Sequence, residues 1–166
     1  MKINEELRKM YPWKERWDFR AKIAVSKIPK GSSIIDLGGG LGEVYKAMGG
    51  ECRYVSIDLR SWNDLTVVGD FNKGEFPEIY GKADFVVCLG ILEYIEDPMY
   101  FLNEIKKYSD KLILSYREKS CGGMDRKNNL SYIELGEFLK FSGWKLEASK
   151  KVRKSEMIYF LTRAYL

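Results

Sequence analysis

Short apolar runs recur along the chain, and most of them break off at a glycine or an acid. The first opens at Ser33 and runs into Gly38-Gly39-Gly40-Leu41-Gly42, the pattern of a buried strand entering a tight turn. Residues 54–58 alternate and are rich in β-formers, and residues 65–68 and 111–116 are further short strand runs. Residues 83–89 form a near-continuous apolar run, as expected for a central parallel strand covered on both faces. Between these runs the spacing becomes helical. Residues 43–48 predict a short helix stopped by Gly49-Gly50. Asp97-Pro98 predicts a capped helix start, with Phe101, Leu102, Ile105 and Tyr108 following on one face. Ser131 and Glu134 read as a capping box, with Leu130 and Leu135 as its staple, and that helix runs to Phe141. Residues 144–152 and 157–161 then predict two strands joined by the charged turn 153–156.

Strands that alternate with helices predict an α/β fold. Here it is a Rossmann-like, doubly wound, mainly parallel seven-stranded sheet with a closing antiparallel hairpin. Residues 31–166 form one domain, and residues 1–30 an N-terminal helical segment that packs on it and could serve as a lid. Trp13 and Trp17 stand four apart on that segment and share a helix face, either to pack or to offer a substrate platform. Residues 117–129, with Gly122-Gly123 and many charges, predict a long loop of the kind that often carries function. In such folds ligands sit at the carboxyl ends of the strands, where Asp36, Asp58 and Asp70 all fall.

Composition narrows the classes. The 166 residues are 45% apolar and 31% charged, ordinary for a globular chain. No run approaches the roughly 18 uncharged apolar residues of a membrane span. Lys2, Glu5 and Glu6 stand where a signal peptide would be apolar, so a cytoplasmic location is expected. The net charge of +4 is mild, which leaves nucleic acid possible as a partner but not favoured. Cys52, Cys88 and Cys121 are widely spaced, which argues against a disulfide framework and a zinc site. The chain has no histidine, so histidine metal sites and Ser-His-Asp relays are excluded and no metal is expected.

The glycine turn has the form Asp-x-Gly-x-Gly-x-Gly. A dinucleotide fingerprint would need its last glycine at position 43 or 45, where Glu43 and Tyr45 stand. No Gly-Lys-Ser/Thr follows, so a Walker loop fails as well. The site suits a nucleoside without phosphates. Asp58 can accept both ribose hydroxyls, Asp70 an exocyclic amine, and Phe71 and Leu89 can sandwich a base. Asp36 would favour a cation beside the glycine backbone. Adenine, ribose and an ammonium-bearing tail describe S-adenosylmethionine.

Residues 35–42, the Ile57-Asp58 strand end, Gly69-Asp70-Phe71 and residues 89–98 together resemble the small class I S-adenosylmethionine-dependent methyltransferases. The similarity runs from about residue 32 onward and includes Gly143-Trp144 and the closing strands. It implies that Gly38, Gly39, Gly40 and Gly42 approach the methionyl tail and that Asp36 orients its amino group. Asp58 would bind the ribose, Asp70 and Phe71 the adenine, and Leu89 would lie by the sulfonium, with Leu59 in the same cofactor set. Many members carry a histidine where this chain has Tyr94, so a general base would be Glu93, Tyr94 or a loop residue such as Asp125. Catalysis by positioning alone stays open.

The acceptor is narrowed by subtraction. No Asn/Asp-Pro-Pro-Tyr follows the fourth strand, Cys88 lies within that strand, and it ends without the acid of a ribose-methylating set. The expected acceptor is a small molecule or a glycan or lipid precursor, methylated on oxygen or nitrogen, with Trp13, Trp17, Tyr94 and Arg117 as candidate contacts. The alternatives are an inactive cofactor-binding module that partners another subunit, or an RNA or protein methyltransferase. Lys150, Lys151, Arg153 and Lys154 read either as a charged edge hairpin or as a contact for an anionic acceptor.

Overall fold

The computed structural model describes residues 1–10, 14–79, 81–118, 126–153 and 155–164, with only the backbone at positions 7, 8, 10 and 14–17. The elements in order are α1 (Glu5–Met10), α2 (Lys14–Val25), β1 (Ser33–Leu37), α3 (Glu43–Ala47), β2 (Arg53–Asp58) and β3 (Thr66–Val68). They continue with β4 (Phe85–Leu89), α4 (Pro98–Glu104), β5 (Lys111–Arg117), α5 (Tyr132–Phe141), β6 (Trp144–Arg153) and β7 (Glu156–Arg163). The seven strands form one sheet in the order β3-β2-β1-β4-β5-β7-β6. β1 to β5 are parallel, and β7 runs antiparallel between β5 and β6. The mainly parallel sheet with its closing hairpin is therefore as the sequence predicts.

The strand pleat sends alternate residues to opposite faces, and each face has its own core. Leu37, Ile57, Val86, Cys88, Leu112 and Leu114 pack under α4 and α5 with Phe101, Leu102, Leu135 and Leu139. Ile34, Val87, Ile113 and Phe160 pack under α2 and α3 with Ala21, Ala24, Val44 and Met48. Ala21 and Ala24 are buried, so α2 is part of a core face. Trp13 and the side chain of Trp17, expected to share a face, lie outside the described residues.

Helix starts follow the local chemistry. Asp97 Oδ1 accepts the Tyr100 N–H at 2.9 Å ahead of Pro98, and the Ser131–Glu134 capping box closes in both directions. β6 lies at the sheet edge with its lysines exposed, which discourages pairing with other chains. Residues 1–4, expected to be helical, instead run beside residues 61–64. The Asn4 amide donates to the Trp62 carbonyl, the Asp64 amide to the Lys2 carbonyl, and Ile3 bridges Asn63.

Asn128 helps to fasten the loops beyond β4 and β5 together. Asn128 Nδ2 donates to the Leu92 and Ile95 carbonyls at 2.7 and 2.8 Å, while Oδ1 accepts the Tyr116 hydroxyl at 3.2 Å. Asn128→Ala would strand the Ile95 carbonyl, while the Leu92 carbonyl keeps the Ile95 amide at 3.2 Å. An unsatisfied buried group costs about 1–3 kcal/mol, so chemical denaturation should show a loss in that range. An unchanged midpoint would show that water replaces the amide.

Candidate active site

Sheet order reverses between β1 and β4, and ligands of open α/β sheets bind in the crevice beyond such a point. The glycine turn fills the β1 side of it. Gly38, Gly40 and Gly42 have φ of 72°, 48° and 74°, a region glycine enters without strain. The turn is tied down from β2: the Gly38 amide donates to the Ile57 carbonyl at 2.7 Å, and the Gly40 amide to Asp58 Oδ2 at 3.0 Å. Asn63 Nδ2 donates to the Gly40 carbonyl at 3.1 Å. A methyl at Gly38 would press on Ile91, and one at Gly39 would run into Ser56, Tyr54 and Asp36.

Asp36 does not stand at the surface of this turn. Its carboxyl is buried beneath it, where Oδ2 accepts the Tyr54 hydroxyl at 2.6 Å. Asp36, expected to orient the cofactor's amino group, is therefore placed under the turn and not on its open side. Residue 36 points to the α2/α3 face of the sheet, and Tyr54 on β2 closes over it. Burial pushes its pKa up to about 7 against the opposing Tyr54 hydrogen bond. The native state therefore keeps a proton that the unfolded chain releases near pH 4, within the ordinary carboxylate range. That contribution is complete at low pH and is lost as pH rises through about 7. Urea unfolding from pH 4 to 8 should show a falling stability whose slope shrinks in Asp36→Asn. Identical slopes would refute this assignment.

Asp58 ends β2 with its carboxylate pointing at the turn, and burial raises its pKa. Leu59 follows it and is 58% exposed. Asp70 ends the β3 segment and caps the 3₁₀ turn Phe71–Lys73, accepting the Asn72 amide at 3.1 Å. Its other oxygen lies 3.3 Å from Lys73 Nζ. Phe71 is not available to stack on a ligand. The turn swings its ring into the core, 5.2 Å from Phe76 and 5.4 Å from Phe101 between centroids. Leu89 ends β4 and is buried on the α2/α3 face.

Beyond β4, Glu93 is buried, and its Oε1 accepts the Arg117 amide at 2.8 Å. Burial holds its carboxyl above the usual range. Glu93 is a brace between the exits of β4 and β5. Tyr94 is 42% exposed beside it, and Arg117 ends β5. Asp125 and Cys121 lie outside the described residues. Among the described residues no group of acids and cysteines could hold a metal, and no helix is long and apolar enough to cross a membrane.

One site residue gave no sequence signal. Arg20 of α2 lays its guanidinium on Gly90, where any side chain would collide with it, and donates to Glu156 Oε1 at 3.0 Å. Its Nε is buried without a partner among the described residues. A glycine turn with no room for side chains, a carboxylate at the next strand end and a guanidinium with a spare donor fit a nucleoside bearing a charged amino-acid tail.

The doubly wound sheet with its reversed last strand is a fold shared with SAM-dependent methyltransferases of known structure. A methyltransferase domain family matches residues 7–160, and the chain belongs to that family. In fold it is similar to a SAM-dependent methyltransferase from Aquifex aeolicus, with TM-score 0.73 at 15% identity over 96% of this chain and 98% of that one. It is also similar to the 1,6-didemethyltoxoflavin-N1-methyltransferase of Burkholderia thailandensis, solved with S-adenosylhomocysteine bound (TM-score 0.72, 15% identity, 95% and 83% covered). A third likeness is to the magnesium protoporphyrin IX methyltransferase of Synechocystis (TM-score 0.63, 16% identity, 88% and 80% covered). No curated protein sequence matches the chain.

Proposed function

We propose that this methyltransferase modifies an oxygen or nitrogen of a small molecule or of a glycan or lipid precursor. The observation that carries the cofactor half is Asp58, set at the end of β2 and bonded to the glycine turn. In this reading Asp58 receives the ribose hydroxyls, and Leu59, Asp70 and Leu89 border the base and sulfur. The backbone of Gly38, Gly39, Gly40 and Gly42 admits the tail, whose carboxylate is met by Arg20. Asp36 supports the turn from below. S-adenosylmethionine, when bound, supplies a methyl group already activated by its positive sulfur. The chain then has to align the acceptor and exclude water, and positioning of that kind is the main catalytic demand.

Tyr94, exposed beyond β4, and Arg117, at the end of β5, are assigned to the acceptor. The two neighbours from Burkholderia and Synechocystis are named for small-molecule acceptors, which supports the same class here. The test is transfer of labelled methyl into a cell extract separated by size. Label in the low-molecular-weight or lipid fraction is the expected result, whereas label confined to RNA or protein would overturn the acceptor class.

A further inference from the structure

Arg126 stands at the exit of β5 in an unusual electrostatic position. Its Nη2 donates to the Arg117 carbonyl at 2.6 Å and to the Tyr116 hydroxyl at 3.3 Å, and its guanidinium lies 5.7 Å from the Tyr116 ring centre. These partners are neutral. Its Nε and Nη1 are buried and have no hydrogen-bond partner among the described residues. A guanidinium keeps its charge in any protein environment, so it cannot relieve this by losing a proton. Buried donors left open on a fixed charge cost several kcal/mol unless something answers them.

The neighbouring groups do not answer them. Arg20 is itself a guanidinium and offers no acceptor, and its partner Glu156 is engaged by it. Glu93 is the carboxylate that faces Arg126, yet its Oε1 is taken by the Arg117 amide and its Oε2 is buried and unpartnered as well. Burial also favours the neutral form of Glu93, which weakens it as a counter-ion. Asn128 is spent on Leu92, Ile95 and Tyr116. All of these groups lie at the ends of β4 and β5, beside the switch point and away from the glycine turn on β1.

We propose that Arg126, backed by the Tyr116 ring, holds an anionic oxygen of the methyl acceptor, carried by a carboxylate or a phosphate. This rests on the methyltransferase reading above. The acceptor is then an acid whose charge lies near the atom that is methylated, and Glu93 marks the opposite wall of that subsite.

The test uses the full chain saturated with S-adenosylhomocysteine and titrated with benzoate, phenyl phosphate and benzyl alcohol. Affinity and the arginine Nε–H NMR signals are read together. One or both anions should bind saturably and shift the Arg126 signal, while benzyl alcohol leaves it in place. The preferred anion identifies carboxylate or phosphate. Arg126→Gln should weaken the anion about tenfold or more, as expected for charged hydrogen bonds. Glu93→Gln, which can still accept the Arg117 amide, should leave anion affinity within about twofold of wild type. Failure of both anions to bind, or equal binding by Arg126→Gln, overturns the proposal. If Arg126→Gln does not fold, the wild-type Nε–H signal, assigned through Arg126→Lys, decides alone. S-adenosylhomocysteine binding without anion binding would sink this inference only, whereas failure to bind S-adenosylhomocysteine would sink the reading beneath it.

Discussion

Asp58→Ala should leave the sheet folded and remove most of the stabilisation that S-adenosylhomocysteine gives the wild-type chain. The carboxylate sits at the last position of β2, half-buried, so its removal opens no core cavity. It does remove the acceptor for the Gly40 amide and, in the assignment made here, for two ribose hydroxyls. Charged hydrogen bonds are worth about 1.5–3 kcal/mol each, so the loss of two corresponds to roughly 100-fold or more in affinity. At ligand 100-fold above the wild-type dissociation constant, a stabilisation of about 2.7 kcal/mol should fall to about 0.4 kcal/mol. Thermal unfolding with and without ligand reads this directly. A full shift in the variant would remove Asp58 from the site.

The second large effect is expected at Gly39, from space and not from charge. A methyl there meets Ser56, the Tyr54 hydroxyl at 2.8 Å and Asp36 Oδ2 at 2.9 Å, with Ser56 and Asp36 both buried. Overpacking of this kind costs about 1–3 kcal/mol. The turn would have to lift to relieve it, carrying Gly38 and Gly40 with it. A misplacement of order 1 Å can cost about 100-fold in rate. Gly39→Ala should thus lose cofactor affinity and transfer activity more than its modest stability loss would explain. Activity near the wild-type level would mean that the buried side chains give way instead.

Much of this architecture was readable because its signals are local. Strand periods, the Ser131 box and the Asp97-Pro98 start each depend on residues within a few positions of one another. The glycine register and the acid at position 58 are readable for the same reason. What escaped depends on distance or on which way a side chain turns. Asp36 and Asp58 look alike as strand-end acids, and only Tyr54 across the sheet makes one of them buried. Phe71 follows Asp70 as a stacking residue would, but the 3₁₀ turn rotates it toward Phe101. Arg20 sits on a polar helix whose sequence gives no reason to prefer it over Lys22 or Arg16, and its partner Glu156 lies 136 positions away. Residues 1–4 form their contacts through backbone groups, which side-chain patterns do not reveal.

The α2/α3 core face joins Ala21 and Ala24 to Ile158 and Phe160, and the Arg20–Glu156 pair spans the same interval. During synthesis α2 leaves the ribosome long before the strand that completes its packing surface. The part of its apolar side that meets Ile158 and Phe160 then stays open until β7 has inserted between β5 and β6. Contacts of such long sequence separation slow folding and lengthen the time apolar surface stays open to aggregation. The last strand to be made is thus the one that commits the first long helix, and with it Arg20, to the site.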